Sequence, residues 1–389
     1  MLALLSLAEL LGMSLWFAAS AVSPQLAEGW SVHGSVVSWL TTIVQLGFVV
    51  GTAAVAVLNL ADVLPSKRLF AASAIVGAAA NAAVLAAPSF SVALAFRFLT
   101  GCALAGVYPP AMKMVATWFR MRRGLAIGTV VGALTIGKAT PYLVHALPNA
   151  GAHEVVLTAS AGAVIAALLV GLGYMDGPYP FPPRPFSWTL GASVFSSRRW
   201  RLATGGYLGH MFELYSFWTW IPVFIAASIT AAGGVAGSEA SLVAFGTIAI
   251  GGIGCIWGGL SADKRGRERL VMLALAASGT CSIIIPLVFG RSVLVLALVA
   301  WAWGFFVIAD SAQFSALVTE SVPPHAVGTA LAIQTSLGFL LTMVSIQLVP
   351  PLVGVVGWRW AFPVLALGPM FGIASIRRLV ALRADPEQA

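Results

Sequence analysis

Six ionisable side chains, Glu9, Arg97, Lys138, His210, Glu213 and Asp310, stand in stretches that are otherwise apolar. A charge taken out of water needs an opposite charge, a ligand or a proton, so each of the six is a candidate for chemistry. His210 and Glu213 are three residues apart, which places them on one face of a helix. A carboxylate beside an imidazole can exchange a proton near neutral pH; a plain packing hydrogen bond between the two satisfies the same spacing. Lys138, Tyr142 and His145 follow at i, i+4 and i+7 and again share a face. A lysine there either holds an anion or forms a buried ion pair with a distant carboxylate. Arg97 has the same choice, with Glu213 or Asp310 as its acidic partner. Asp310 lies late in its stretch, where it would gate rather than bind. Glu9 lies near an end, from which it can snorkel to the interface. Around Glu213 the aromatics crowd: Phe212, Tyr215, Phe217, Trp218 and Trp220. Tyr215 is a candidate cavity residue, and the two tryptophans read as an interfacial belt.

The elements that carry these residues are membrane spans. Of 389 residues, 59% are hydrophobic and 9% charged, with a mean hydropathy of +0.95; a soluble domain carries about 25% charged residues. Runs such as Val155 to Met175 and Leu270 to Gly290 have no charge at all, and about 20 such residues cross the hydrocarbon core as a helix. Short alternating segments of a membrane barrel are absent. The chain reads as an all-α polytopic membrane protein with twelve transmembrane helices, near 1–23, 35–58, 69–87, 91–112, 124–147, 154–174, 200–226, 239–260, 270–289, 293–315, 326–348 and 359–376. Met1 to Val22 lacks the basic start of a signal peptide and reads as the first span; the same missing flank suggests that the true start lies upstream.

The net charge of +8 is a topology signal rather than a nucleic-acid footprint. With the N-terminus inside, cytoplasmic segments hold 17 of the 21 basic residues: Lys67, Arg68, Lys113, Arg120, Arg122, Arg123, Arg184, Arg198, Arg199, Arg201, Lys264, Arg265, Arg267, Arg269, Arg377, Arg378 and Arg383. Outside loops hold only Arg291 and Arg359. This asymmetry places both termini in the cytoplasm and the protein in the inner (plasma) membrane. Prolines 178, 180, 182, 183 and 185 prevent the loop from Asp176 to Trp200 from being one helix. The expected organisation is a bundle over 1–175, a linker over 176–199, a second bundle over 200–376 and a tail over 377–389. Tyr108 precedes Pro109-Pro110, which should break or end the fourth span. The pairs Gly47–Gly51, Gly128–Gly132 and Gly254–Gly258 let helices approach closely.

The two halves echo each other. Asp62, Lys67 and Arg68 follow the second span; Gly259, Asp263, Lys264, Gly266, Arg267 and Arg269 close the eighth, 201 residues further on when aspartate is set against aspartate. Gly124-Leu125-Ala126-Ile127 is likewise echoed around Gly328 to Ile333. Two six-span repeats in parallel orientation are a transporter architecture. The second loop resembles the signature G-x-x-x-D-[RK]-x-G-x-[RK]-[RK] of the major facilitator superfamily, with Arg267 one place early; the first copy is degraded, with Leu58, Val63 and Pro65 at other marked places. Arg97 and Gly101 match the family's R-x-x-x-G in the fourth span. Gly128, Gly137 and Pro141 fall near the marked places of its fifth-span antiporter pattern, whose Gly-Pro pair and trailing Gly-Gly are absent. The wording of spans 4, 5, 7 and 10 is similar to the branch near the nitrate/nitrite and cyanate porters.

The resemblance implies a central cavity lined by spans 1, 4, 7 and 10, which carry five of the six ionisable residues, and signature loops that switch between conformations, their Lys and Arg residues pairing across halves. It implies a secondary transporter for a small, anionic metabolite, proton-coupled and working by alternating access as a monomer. The alternative is a proton/drug antiporter, which needs acidic cavity residues but not Lys138. No cofactor and no metal site is expected: Cys102, Cys255 and Cys281 form no pair with ligand spacing. H-E-x-x-H, G-x-S-x-G and Gly-rich phosphate loops are absent from the sequence, which argues against an enzyme.

Overall fold

A computed structural model describes residues 1–58, 60–119, 123–179 and 188–384. Arg120, Arg122, Arg184, the linker prolines from 180 onward and the end of the tail lie outside the described residues, as do the side chains of Asp62 and Arg123.

Eleven helices are long and apolar enough to cross a membrane: α2 (Val36–Val57), α3 (Ser66–Ala86), α4 (Phe90–Trp118), α5 (Gly124–His145), α6 (Ala152–Gly173), α7 (Arg198–Ala231), α8 (Ser238–Arg265), α9 (Arg267–Val288), α10 (Val293–Thr319), α11 (Val327–Trp360) and α12 (Phe362–Arg383). The twelfth, α1, is shorter (Leu2–Met13) and is continued after a break by Ala18–Ala21 and Ser23–Gly29. The chain is therefore an all-α, twelve-helix membrane protein. α7 and α11 reach 34 residues each. Both outrun the expected spans despite interior prolines, Pro222 in α7 and Pro350-Pro351 in α11, and α11 kinks at Gly357, whose φ of +72° a glycine tolerates.

Leu4 packs against the end of α6 at Gly173, and Arg383 pairs with Glu268 and Glu320 beside the α8–α9 turn. Both ends of the chain thus lie at the end of the bundle that bears the linker, called here the linker end. The linker contains one described helix, Trp188–Ser196.

Helices before the linker pack mainly on one another, as do those after it, and the two sets meet along α5 with α8 and α2 with α11. The α5–α8 seam is built from small residues. A Cβ on Gly132 would sit 2.7 Å from the Gly252 carbonyl oxygen, and one on Gly128 would sit 3.0 Å from that of Cys255. Gly47 and Gly51 bring α2 onto α4 in the same way, and Gly254 and Gly258 bring α8 onto α10. The apolar core runs through both sets without interruption and includes Trp16, Phe48, Tyr215, Trp218 and Phe339.

Four spans break along their length: α1 at Ser14–Phe17, α4 at Ala105–Val107, α8 at Ile250 and α10 at Asp310. The α4 break falls where the Pro109-Pro110 pair is expected to put it, since neither proline can donate back to the carbonyls of Ala105 and Gly106. Both prolines occupy the first turn of the second segment, Tyr108–Trp118, where a missing N–H costs nothing.

Candidate functional site

The break in α1 frees carbonyl groups that lipid cannot satisfy. Arg97 answers them. Its Nη1 donates to Leu15 O (3.0 Å) and Asn81 Oδ1 (3.1 Å), Nη2 to Trp16 O (2.5 Å), and Nε to Leu40 O (3.1 Å). Asn81 in turn donates to Val156 O and Ser160 Oγ of α6. A planar fork of five donors suits such a task. Arg97 is therefore a clamp for α1, α2 and α3; the expected pairing with Glu213 or Asp310 is not formed, and these bonds leave little of it to a ligand.

The clamp fixes Trp16 at the junction of the two halves. There the Lys138 ammonium of α5 donates a 2.6 Å hydrogen bond to the Tyr215 hydroxyl of α7. It lies 4.2 Å from the ring centre of Trp16, 4.6 Å from that of Tyr215 and 4.7 Å from that of Trp218. Such ring faces attract a cation electrostatically. Lys138 is 2% exposed, and among the described residues it has no carboxylate at ion-pair distance. The indole N–H groups of Trp16 and Trp218 are buried without a partner. Phe48 and Phe339 (ring centres 4.5 Å apart) close the cage towards the linker end, 5.2 and 5.7 Å from Trp16. Trp218 is thus a cage residue, 1% exposed, and not part of an outer belt. It stands only one turn beyond Tyr215 on a helix longer than the membrane, so its depth was misjudged. Trp220, stacked near Trp358 and bonded to Ile346 O, keeps the expected place near the far end.

Glu9 lies on α1 within electrostatic reach of Lys138 and of Tyr108. Its carboxylate is fully buried and both oxygens lack a hydrogen-bonding partner. The expected snorkelling does not occur, because α1 is covered by α5 and α6 along this stretch. Tyr142 is buried one turn beyond Lys138. His145 lies two turns beyond, at the far end, 3.0 Å from Ser241 Oγ of α8 and 3.4 Å from Gln25 Nε2.

The structure separates His210 from Glu213. Glu213 accepts from Ser278 Oγ of α9 (2.7 Å) and Trp303 Nε1 of α10 (2.9 Å), inside the second half and away from the cage. His210 Nδ1 is instead 2.9 Å from Asp310 Oδ1, at the break in α10. His210 Nε2 and Asp310 Oδ2 have no partner. Spacing of three fixed the face but not the neighbours that a face meets. Asp310 is buried at 1% and joins α7 to α10.

Two ends of the junction differ. At the far end Ser38 Oγ donates to Gln347 Oε1 (3.2 Å), and Gln347 Nε2 donates to Thr42 Oγ1 (2.8 Å), tying α2 to α11. At the linker end α2, α11 and the linker helix leave a cleft of about 390 Å³, with Thr52, Ala56, Phe195 and Ile333 among its walls. The Asp263 carboxylate lies against Gly124, where a Cβ would be 3.8 Å away, so it faces the first turn of α5 across the seam, where an anion is favoured. Gly259 abuts the Gly124 carbonyl, and Gly266 turns the chain with a φ of +86°. Among the described residues the other signature charges do not pair across halves as expected. Arg267 bonds Glu320, and Arg383 bonds Glu268, all within the second half. Lys264, Arg269 and Arg68 are exposed, and Lys67 is half-buried.

The sequence matches the profile of the Major Facilitator Superfamily over residues 4–346. The chain belongs to this superfamily. It is 27% identical over 335 residues to an uncharacterized MFS-type transporter of Mycobacterium tuberculosis, a match spanning 84% of this chain and 72% of that protein. Its fold matches the crystal structure of the superfamily transporter FucP in the outward conformation with a TM-score of 0.68 at 15% identity, over 97% of this chain and 98% of the other. As a superfamily member the protein is a multi-pass secondary transporter that passes a small molecule by alternating access. Trp16, Phe48, Trp218 and Phe339 complete its central cage. Sequence reading misplaces Trp218 and does not find Trp16, Phe48 and Phe339, because an aromatic inside an apolar span looks the same whether it meets lipid or a lysine.

Proposed function

We propose that the protein is a proton-coupled carrier of a small anion and that Lys138 holds the anion's charge. The observation that carries this reading is the Lys138 ammonium, buried at the junction of the halves with a phenol and three ring faces around it but no carboxylate at bonding distance. A buried charge so poorly compensated is costly, and an incoming anion offsets that cost. Glu9 supplies the coupling. Its buried carboxylate has no hydrogen-bonding partner, which leaves it able to load and release a proton as the anion binds. Substrate and proton then cross together. This moves the proton role from Glu213, whose oxygens are occupied by Ser278 and Trp303.

Alternating access follows if 1–175 and 200–376 rock as units about the cage, with the 176–199 linker and 377–389 tail on the cytoplasmic side. The basic residues gathered at the linker end support that orientation. The protein then acts as a monomer in the inner membrane. The drug-antiporter reading fits less well, because the place a cationic drug would take in the aromatic cage is already held by the protein's own ammonium.

Proteoliposomes test the two readings directly. Adding nitrate, acetate or benzoate outside should raise the external pH if anion and proton enter together. Collapse of an imposed pH gradient by ethidium, with no response to any of the three anions, would instead establish the antiporter.

A further inference from the structure

We propose that the carried anion is an organic monoanion with a flat, apolar body the size of a ring. The inference rests on the anion reading and specifies its substrate class. Three observations support it.

The first is charge. Of the buried cations, Arg97 is spent on three carbonyls and Asn81, and His210 faces Asp310. Among the described residues Lys138 alone is left, and Glu9 lies near it. A single cation balances one negative charge, and a dianion would bury one uncompensated.

The second is the set of donors. The cage offers the ammonium, the Tyr215 hydroxyl and two indole N–H groups that have no partner. An unpaired buried donor is costly, and these are neutral donors set in ring edges. They suit the one or two oxygens of a carboxylate whose other end is carbon. A small inorganic anion would leave the surrounding ring faces of Trp16, Phe48, Tyr215, Trp218 and Phe339 without contact.

The third is the approach. The linker-end cleft begins one turn below Phe48 and Phe339, at Thr52 and Ser336. The hydroxyls of these two are the only polar side-chain groups among its lining residues. Walls of this kind favour an apolar body and give nothing to a tightly hydrated ion. The cage rings come from α1, α2, α7 and α11, so rocking of the halves would part them and admit a flat group between faces that prefer offset or tilted stacking.

The test is thermal unfolding of the purified full-length protein with sodium nitrate, acetate, benzoate and neutral benzyl alcohol at constant ionic strength. A ligand that binds the folded state raises its melting temperature. Benzoate should stabilise at concentrations about tenfold lower than acetate or nitrate, and Lys138→Met, which keeps the length of the side chain, should abolish the effect. Phe339→Leu should bring benzoate down towards acetate. If nitrate or acetate equals benzoate and the effect depends on Lys138, the substrate class is wrong while the anion reading stands. If benzyl alcohol equals benzoate and Lys138→Met changes nothing, the anion reading itself falls. Absence of any benzoate stabilisation overturns the inference.

Discussion

The Lys138 ammonium of α5 donates to the Tyr215 hydroxyl of α7 over 2.6 Å, a hydrogen bond between the two halves of the transporter at its centre. It ties the first half to the second beside the ring of Trp16. The charge that would hold the substrate is therefore also part of what holds the halves together when none is bound.

Glu9 is expected to couple this event to protons. Glu9→Gln should retain counterflow, which needs no net proton movement, and lose accumulation driven by a pH gradient. The paired assays in proteoliposomes decide it. Loss of both activities in a well-folded variant would assign Glu9 to substrate binding instead.

Arg97→Ala should fail to accumulate in the membrane. It leaves the Leu15 and Trp16 carbonyls at the break in α1 unpaired, each at about 1–3 kcal/mol. Arg97→Lys should rescue little, since an ammonium lacks the planar fork. Protein level and size-exclusion profile are the readouts; normal levels of Arg97→Ala with loss of binding would contradict the clamp.

Glu213→Leu should lower stability by about 1–3 kcal/mol, because the Ser278 hydroxyl and the Trp303 indole N–H lose their acceptor in a dry site. Glu213→Gln keeps one carbonyl acceptor and should retain pH-driven uptake. A Glu213→Gln protein that is folded but uncoupled would return the proton role to Glu213.

Asp263→Asn removes a charge from the first turn of α5 at the linker end of the seam. A carboxylate there is worth about 0.3–1 kcal/mol, so transport should slow about two- to fivefold with ligand binding and protein level near normal. Collapse of expression would make its role structural.

What was legible in the sequence was set by bulk chemistry. Uncharged runs gave the spans, basic loops gave their alternation, and the Gly259 to Arg269 motif gave the family. Which ionisable groups needed explaining was legible too, because a charge among apolar residues stands out. Their partners were not. His210 and Glu213 share a face by spacing, yet α10 breaks at Asp310 and brings its carboxylate to His210, while Ser278 and Trp303 claim Glu213. Arg97 read as a substrate ligand or a structural partner of Glu213 or Asp310, and its actual partners stayed hidden because the break in α1 that consumes it leaves no mark in the local sequence. The cage around Lys138 joins residues of α1, α5 and α7, and no one-dimensional pattern announces a contact between Trp16 and Trp218 through a lysine.

The central claim is that Lys138 holds the anion. Benzoate binding to purified wild-type and Lys138→Ala protein, measured by calorimetry at one pH and ionic strength, tests it most directly. The account predicts that the substitution weakens binding at least about tenfold, the loss of one charge-assisted contact, while counterflow of the same anion shows a correspondingly raised half-saturation concentration. Unchanged affinity in a folded Lys138→Ala protein would contradict it.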